Sequence, residues 1–404
     1  MNAQQAKQNA KLLYGFSFAW MFIPTIPVLV PYITGKGLSM REFLELQAIF
    51  GLAVAILEVP SGYLADIWGR RNTMLIGAVF SGIGFTYFVF CETYFEFLMF
   101  ELALAVSLSM KSGADFSLLY DSLAITHKQD RSVLQAAISR KHFLTLSAEA
   151  LSAVLGGVLA AVSLSLVAEV NAFVSWIPLV LILMIKEGPI EKMSTSNHWS
   201  NLKEITRHLF LSERLLRMIF INFVVWSLST FCAVWLLQRH WQANEIGIKQ
   251  FGYIWAALQL VAAFSGQYAI RFERRLGTKV TLVITAVLPV IGYLGLGLSG
   301  AIGAIVFAFT FYISRGLTQV IFSEALNWRV PSQFRATVNS LLGLFMRLVF
   351  FVVGPIMGIV IDRYNTQTAA LLLGAAFGVL CLTLLLPMLL HLGKVTKATK
   401  LESN

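Results

Sequence analysis

Long apolar runs separated by short polar connectors set the pattern of this chain. Twelve runs are long enough, or nearly so, to cross a bilayer as helices, which needs about 20 apolar residues. They fall near 12–34, 43–66, 73–91, 95–120, 133–163, 167–186, 214–238, 247–271, 278–298, 301–326, 336–361 and 367–391. Runs longer than the minimum fit helices that tilt or project into water. The longest polar connector, Glu187 to Glu213, divides the runs six and six, and Asn201 to Leu211 within it reads as a short surface helix. The expected organisation is therefore an N-terminal bundle over 1–186, a connector over 187–213, a C-terminal bundle over 214–391 and a tail over 392–404.

Composition sharpens the class. The 404 residues are 57% hydrophobic and only 13% charged, with a mean hydropathy of +0.73. So few charges cannot cover a water-facing exterior of this size, so much of the surface must face lipid. The fold expected is an all-α polytopic membrane protein. The net charge of +10 does not read as a nucleic-acid footprint, because the basic residues sit in short connectors and not on one face. With both termini on one side, the opposite side holds only Lys36, Arg41, Arg239, Lys249 and Arg363 of the connector cations. The bias of Lys and Arg towards the cytoplasm then places both termini there, with an inner (cytoplasmic) membrane location. Cys91, Cys232 and Cys381 are widely spaced inside apolar runs, which is neither a metal-site spacing nor a disulfide framework. Met1 to Ala10 is polar and lacks a cleavage-site pattern, so the first run reads as a retained span.

The connector after the second run carries the sharpest motif. Leu57-Glu58-Val59-Pro60-Ser61-Gly62-Tyr63-Leu64-Ala65-Asp66-Ile67-Trp68-Gly69-Arg70-Arg71 ends an apolar run in a basic, glycine-broken hinge. Gly62, Leu64, Ala65, Asp66, Gly69, Arg70 and Arg71 make this stretch resemble the loop between helices 2 and 3 of the major facilitator superfamily. The basic residue usual after the Asp is Ile67 here. Pro331 to Ser340, with Arg335-Ala336-Thr337, resembles a second pattern of the same superfamily. The halves also show weak similarity at an offset of about 204, which pairs Ser61-Gly62 with Ser265-Gly266 and Arg70-Arg71 with Arg274-Arg275. The resemblance implies twelve transmembrane helices in two pseudo-symmetric six-helix bundles, with a substrate site near mid-membrane and transport by alternating access. It further implies a cytoplasmic gate of Gly62, Asp66, Gly69, Arg70 and Arg71, in which Arg70 or Arg71 meets Asp121 and Asp66 lies near the start of the eleventh span, where exposed N–H groups favour negative charge. A topogenic role, holding the loop inside, is the plainer reading of the two arginines.

Helical spacing sorts the polar residues within the runs onto narrow stripes. Lys141, Thr145, Glu149, Ser152 and Gly156 share one face of the fifth span, and Lys111 and Asp115 are neighbours one turn apart in the fourth. The tenth span offers Tyr312, Arg315, Gln319 and Ser323, and the eleventh Arg347. A polar stripe on an apolar helix reads as the wall of a water-filled cavity. Glu58, Asp115 and Glu149 are the proton-carrier candidates; their alternative is a fixed ion pair, such as Asp115 with Lys111. Lys111, Lys141, Arg315, Gln319, Arg347 and Trp226 are the substrate-contact candidates, the two arginines being alternatively partners of Glu149 or Asp115.

No phosphate-cradling Gly-Lys-Ser/Thr loop, catalytic triad or metal-spaced cluster stands out, so neither an enzyme nor a cofactor is expected. The expected function is a proton-coupled secondary transporter of a small organic solute, monomeric in the lipid bilayer. Export has a slight preference, because efflux of amphiphilic compounds is the superfamily default for a chain of this size. Movement of an organic anion, such as a carboxylate metabolite or siderophore, fits the buried cations better. A lipid translocator or a transporter-like sensor is the reading from a different class.

Overall fold

The computed structural model describes residues 3–127, 131–187, 214–330 and 335–392. Every regular element among them is helical. In chain order these are α1 (Ala3–Met21), α2 (Leu29–Gly35), α3 (Met40–Trp68), α4 (Arg70–Phe88), α5 (Tyr94–Lys111), α6 (Ala114–His127), α7 (Arg131–Ala160), α8 (Leu164–Val174), α9 (Ile177–Leu183), α10 (Arg214–Ala243), α11 (Ile248–Leu276), α12 (Thr278–Leu298), α13 (Ala301–Val306), α14 (Ala308–Arg329), α15 (Arg335–Arg363) and α16 (Thr366–Leu380), the last running on into a wider turn over Cys381–Leu385. Among the described residues, nine helical stretches are long and apolar enough to cross a membrane. The other three expected spans are also helices, α3, α4 and α11, each interrupted or flanked by charge: Glu45 and Glu58, Arg70 and Arg71, Lys249 and Arg271. The surface helix expected over Asn201 to Leu211 and the Pro331–Phe334 part of the second motif lie outside the described residues.

Two compact units are present, one of Met1–Ser194 with Gly247–Gln259 and one of Thr195–Ile246 with Leu260–Asn404. The first half of α11 thus packs with the N-terminal helices, a feature the span count alone does not show. In the first unit, Leu13 and Phe16 of α1, Met74 and Ala78 of α4, Leu118 and Leu119 of α6, and Ile182 form one buried cluster. Prolines interrupt the first span: α1 stops at Met21, and a short 3-10 turn over Ile26–Val28 follows Pro24 before α2 begins. A proline ring denies the ladder one donor and leaves a carbonyl without its usual partner. Gly156 of α7 lies against the Pro24 carbonyl so closely that a Cβ there would collide with the oxygen. One step on, a Cβ at Gly157 would stand 2.6 Å from the Lys249 carbonyl and 2.9 Å from Gly252 Cα. The Gly156-Gly157 pair therefore lets α7 approach both α1's broken end and α11 at backbone distance, which no larger residue allows.

The second unit is built around α10. Its buried residues run right round the helix, Phe220, Phe223, Trp226, Leu236 and Trp241 among them, as befits a helix enclosed by others. Tyr293 of α12 stacks on Phe377 and lies edge-on to Phe311, and its hydroxyl donates to the Ser229 carbonyl at 2.5 Å. The buried Tyr293 hydroxyl thus has the partner that a low-dielectric interior demands.

The internal repeat is clearer in backbone than in sequence. Helices α3 and α11 are both 29 residues long. Each ends on one glycine, Gly69 (φ 93°, ψ 151°) or Gly277 (φ 82°, ψ 152°), and the next helix starts at once. That region of backbone space is essentially restricted to glycine. Matching these hinges needs a spacing of 208 residues, Gly69 to Gly277, not the 204 that aligns the arginine pairs. The arginines thus occupy different places: Arg70 and Arg71 open α4, whereas Arg274 and Arg275 close α11.

Open space surrounds Gly277, so a Cβ there would meet nothing within 4 Å. Gly277→Ala is nevertheless expected to lower stability by about 1–3 kcal/mol through backbone strain alone. Gly300→Ala, which is equally uncrowded but at φ −90°, should change stability by less than about 0.5 kcal/mol. Thermal unfolding of the two purified variants in detergent measures the contrast.

Candidate functional site

Within the first unit, α5, α6 and α7 bring Lys111, Asp115 and Lys141 together. Asp115 Oδ2 lies 2.7 Å from Lys141 Nζ and 3.5 Å from Lys111 Nζ. The side chains are 9% exposed for Asp115, 19% for Lys141 and 17% for Lys111, so one carboxylate oxygen faces two cations in a largely buried setting. Their one-turn spacing in sequence already pairs Lys111 with Asp115. Lys141, the nearer partner, comes from another helix, and only packing reveals it. Gly113 (φ 78°) lies between α5 and α6; this break reorients the chain so that Lys111 and Asp115 flank a kink rather than one straight helix. Lys111 Nζ also sits 5.5 Å from the centre of the Trp20 ring, where the π face attracts a cation.

Two turns beyond Lys141 on α7, Glu149 Oε1 accepts a hydrogen bond from the Gln259 side-chain amide of α11. Gln259 is buried. Ser152, farther along the stripe, donates its hydroxyl back to the Glu149 carbonyl at 3.0 Å. Lys141, Glu149 and Ser152 all belong to α7. Glu58, the third acid, is half-buried on α3, and its carbonyl accepts from the Ser61 hydroxyl.

Glu101, nearer the outer end of the fourth span, is given no role by the sequence. It is 2% exposed on α5 and accepts a 2.5 Å hydrogen bond from the Gln47 amide of α3. Glutamine at position 47 carries no charge signal in the sequence, so nothing local marks the pair.

The motif region resolves the choice between the arginines. Arg70 makes the ion pair with Asp121. Arg71 turns instead to the end of α9, donating from Nε to the Ile185 carbonyl (2.6 Å) and from Nη2 to the Leu183 carbonyl (3.2 Å). Glu187 completes the arrangement: its two carboxylate oxygens accept the backbone N–H groups of Arg70 (2.8 Å) and Arg71 (3.0 Å). These are the first N–H groups of α4, which have no partner within the helix and favour a negative charge. In sequence Glu187 belongs to the connector, because a cap 116 residues away leaves no local trace. The Asp66 side chain lies outside what the structure describes, while Gly62 is exposed on α3 and Gly69 supplies the hinge.

In the second unit, Arg315 of α14 lies 5.9 Å from the centre of the Tyr312 ring. Gln319, one turn on, is exposed, and Arg347 of α15 is half-buried. Trp226 is fully buried; its indole N–H donates to Asn222 Oδ1 at 3.0 Å, and the ring lies 6.2 Å from Phe377. That places its indole in the packing of this unit, with its single donor used.

Comparison with known proteins matches this architecture. The family model of the Major Facilitator Superfamily matches residues 12–354. A relative from Bacillus subtilis (strain 168), described as the uncharacterized MFS-type transporter YxaM, is 23% identical over 383 residues, covering 90% of each chain. Among solved structures, the nucleoside transporter NupG superposes with a TM-score of 0.79 at 14% identity, over 96% of this chain and 99% of that one. A POT family transporter in complex with 5-aminolevulinic acid gives 0.73 at 13%, over 94% and 96%. A D-xylose-proton symporter gives 0.64 at 14%, over 93% and 96%.

The two acid contacts at the α4 hinge should differ in worth. Glu187→Ala removes both acceptors from the helix start and is expected to cost about 0.5–2 kcal/mol. Asp121→Ala breaks a pair whose members are 30% and 51% exposed and should cost less than about 1 kcal/mol. Chemical denaturation of each variant, with the wild type alongside, compares them.

Proposed function

This chain belongs to the Major Facilitator Superfamily, and we propose that it is a proton-coupled carrier of a small organic solute in which Glu149 exchanges the proton. It is a multi-pass membrane transporter of the secondary type. Coupling and solute are the further steps, and one observation supports the first: the carboxyl of Glu149 is held by the neutral amide of Gln259. An amide has both a donor and an acceptor. Its N–H serves the carboxylate, and after protonation its oxygen can take the acid O–H, so the contact survives in either state. Ion-pair clamping works the other way. Asp115, between Lys111 and Lys141, would leave two cations facing each other if it took up a proton, which in a dry site is costly. Asp115 is thereby assigned to holding the cations, and Glu149, whose amide partner serves both protonation states, to the proton.

Intramembrane acids are functional by default, and the polar line from Lys141 to Glu149 on α7 gives this one a route along a single helix face. The similar structures include nucleoside, peptide and xylose carriers. They support a small polar solute without choosing one.

Proteoliposomes loaded with a pH-sensitive dye test the reading with a panel of nucleosides, dipeptides, sugars and organic acids. At least one solute should change the lumenal pH on addition to the wild type. Glu149→Gln should exchange that solute down its own gradient while moving no protons. Absence of exchange for every solute would overturn the carrier reading, and wild-type proton movement in Glu149→Gln would remove Glu149 from the coupling step.

A further inference from the structure

We infer that Lys111 and Lys141 form the binding site for a monocarboxylate group of the solute, with Asp115 as the internal carboxylate that occupies it in the solute's absence. This rests on the carrier reading above and names the chemical class it carries.

Hydrogen-bond accounting leads to the inference. An ammonium group has three N–H donors, so the two lysines present six. Among the described residues, their oxygen partners reduce to one atom, Asp115 Oδ2, at 2.7 Å from Lys141 and 3.5 Å from Lys111. Lys111 adds only the π face of Trp20. Most of the donor capacity of two largely buried cations is therefore unspent among the described residues. Stability alone gives no reason to keep such an arrangement, because an apolar replacement of a buried ionic cluster is often neutral or stabilising.

Charge fixes the ligand. Two ammonium groups against one carboxylate leave a surplus of one positive charge. One negative charge from a ligand would neutralise the cluster and supply two further acceptor oxygens to the unspent N–H groups. A neutral solute would leave the surplus in place, and a dianion would reverse it. The sharing of a single Asp115 oxygen also matters. Its contact to Lys111 is long, so a ligand carboxylate can take over one lysine while Asp115 keeps the other. Trp20, partly exposed beside Lys111, offers an apolar and aromatic surface to the body that carries the carboxylate. All four residues lie in the first unit.

A structural ion pair and an exchangeable site respond oppositely to loss of the acid. Were the cluster only a structural bridge, Asp115→Asn would leave ligand binding unchanged or weaken it through misfolding. As a site with a resident competitor, Asp115→Asn gains a second surplus charge and loses the competitor. Carboxylate affinity should then rise by about tenfold, the equivalent of one hydrogen bond to a charged group. Lys141→Gln and Lys111→Gln should each lower it by a similar factor.

The experiment is a thermal-shift and calorimetric screen of the full-length protein in detergent. The probes are aliphatic, hydroxy and aromatic monocarboxylates, each paired with its neutral amide, together with phenyl phosphate as a dianion. Expected is stabilisation by one or more carboxylates over their amides, strengthened in Asp115→Asn and reduced in Lys141→Gln and Lys111→Gln. Monodispersity of each variant is checked by size exclusion, and a variant that fails it is replaced by the Met substitution at the same lysine. Carboxylates no better than their amides, a preference for the phosphate ester, or an Asp115→Asn variant that binds no more tightly would each overturn the inference. Binding in detergent needs no gradient and no turnover. A chain that exchanges only neutral solutes in proteoliposomes overturns this inference and leaves the carrier reading standing, whereas carboxylate binding with no exchange of any solute does the reverse.

Discussion

A single carboxylate oxygen held between two ammonium groups is the constraint on which the interior of the first unit depends. Taking Lys111, Asp115 and Lys141 out of water costs several kcal/mol per ion before their mutual attraction is counted. Proximity makes the cost bearable: α5, α6 and α7 must be held so that one oxygen lies 2.7 Å from one lysine and 3.5 Å from the other. The break at Gly113 and the close seating of α7 at Gly156 and Gly157 are the backbone features that position these helices. Packing and electrostatics therefore require each other here. A bulkier residue at the glycines would push α7 away from α1 and α11, and with it the lysine that does most to neutralise Asp115.

The same logic extends along α7. A helix that carries Lys141 near one end of its polar stripe and Glu149 two turns further on presents charges of opposite sign to one face. Lys141 meets the Asp115 carboxylate, and Glu149 accepts from the Gln259 amide. At the hinge between α3 and α4, charge has a mechanical use instead. Glu187 fastens the end of the α9 segment to the start of α4, Arg71 returns the contact to two carbonyls, and Arg70 reaches Asp121 on α6. The start of α4 is thereby tied to the end of the α9 segment and to the middle of α6.

Much of this is legible in the chain itself, for physical reasons that also mark where legibility ends. Membrane length and apolarity are local, so the helices can be counted from composition and spacing. The motif around Gly62 to Arg71 is local too, and it leads to the superfamily that the family model matches. Lys111 with Asp115 is visible because helical neighbours repeat every three or four residues. Lys141 beside Asp115, Gln259 on Glu149, Gln47 on Glu101 and Glu187 on the α4 start are not, because each joins helices distant in sequence and two of the four use an uncharged glutamine. The offset of the repeat misleads for a related reason: paired arginines are conspicuous in sequence, while the backbone repeats at the glycines, whose φ values near +90° no letter displays.

The central claim is that the solute reaches the stripe of α7 between Lys141 and Glu149 and not the face that carries Phe143. Thiol accessibility reads this directly, in a chain whose Cys91, Cys232 and Cys381 have been replaced. Thr145→Cys lies on the stripe between Lys141 and Glu149, whereas Phe143→Cys lies off it, at a side chain 68% exposed in the isolated protein. With a charged, membrane-impermeant thiol reagent applied to open membranes, the account predicts labelling at position 145 and none at 143. Labelling at 143 with protection at 145 would contradict it.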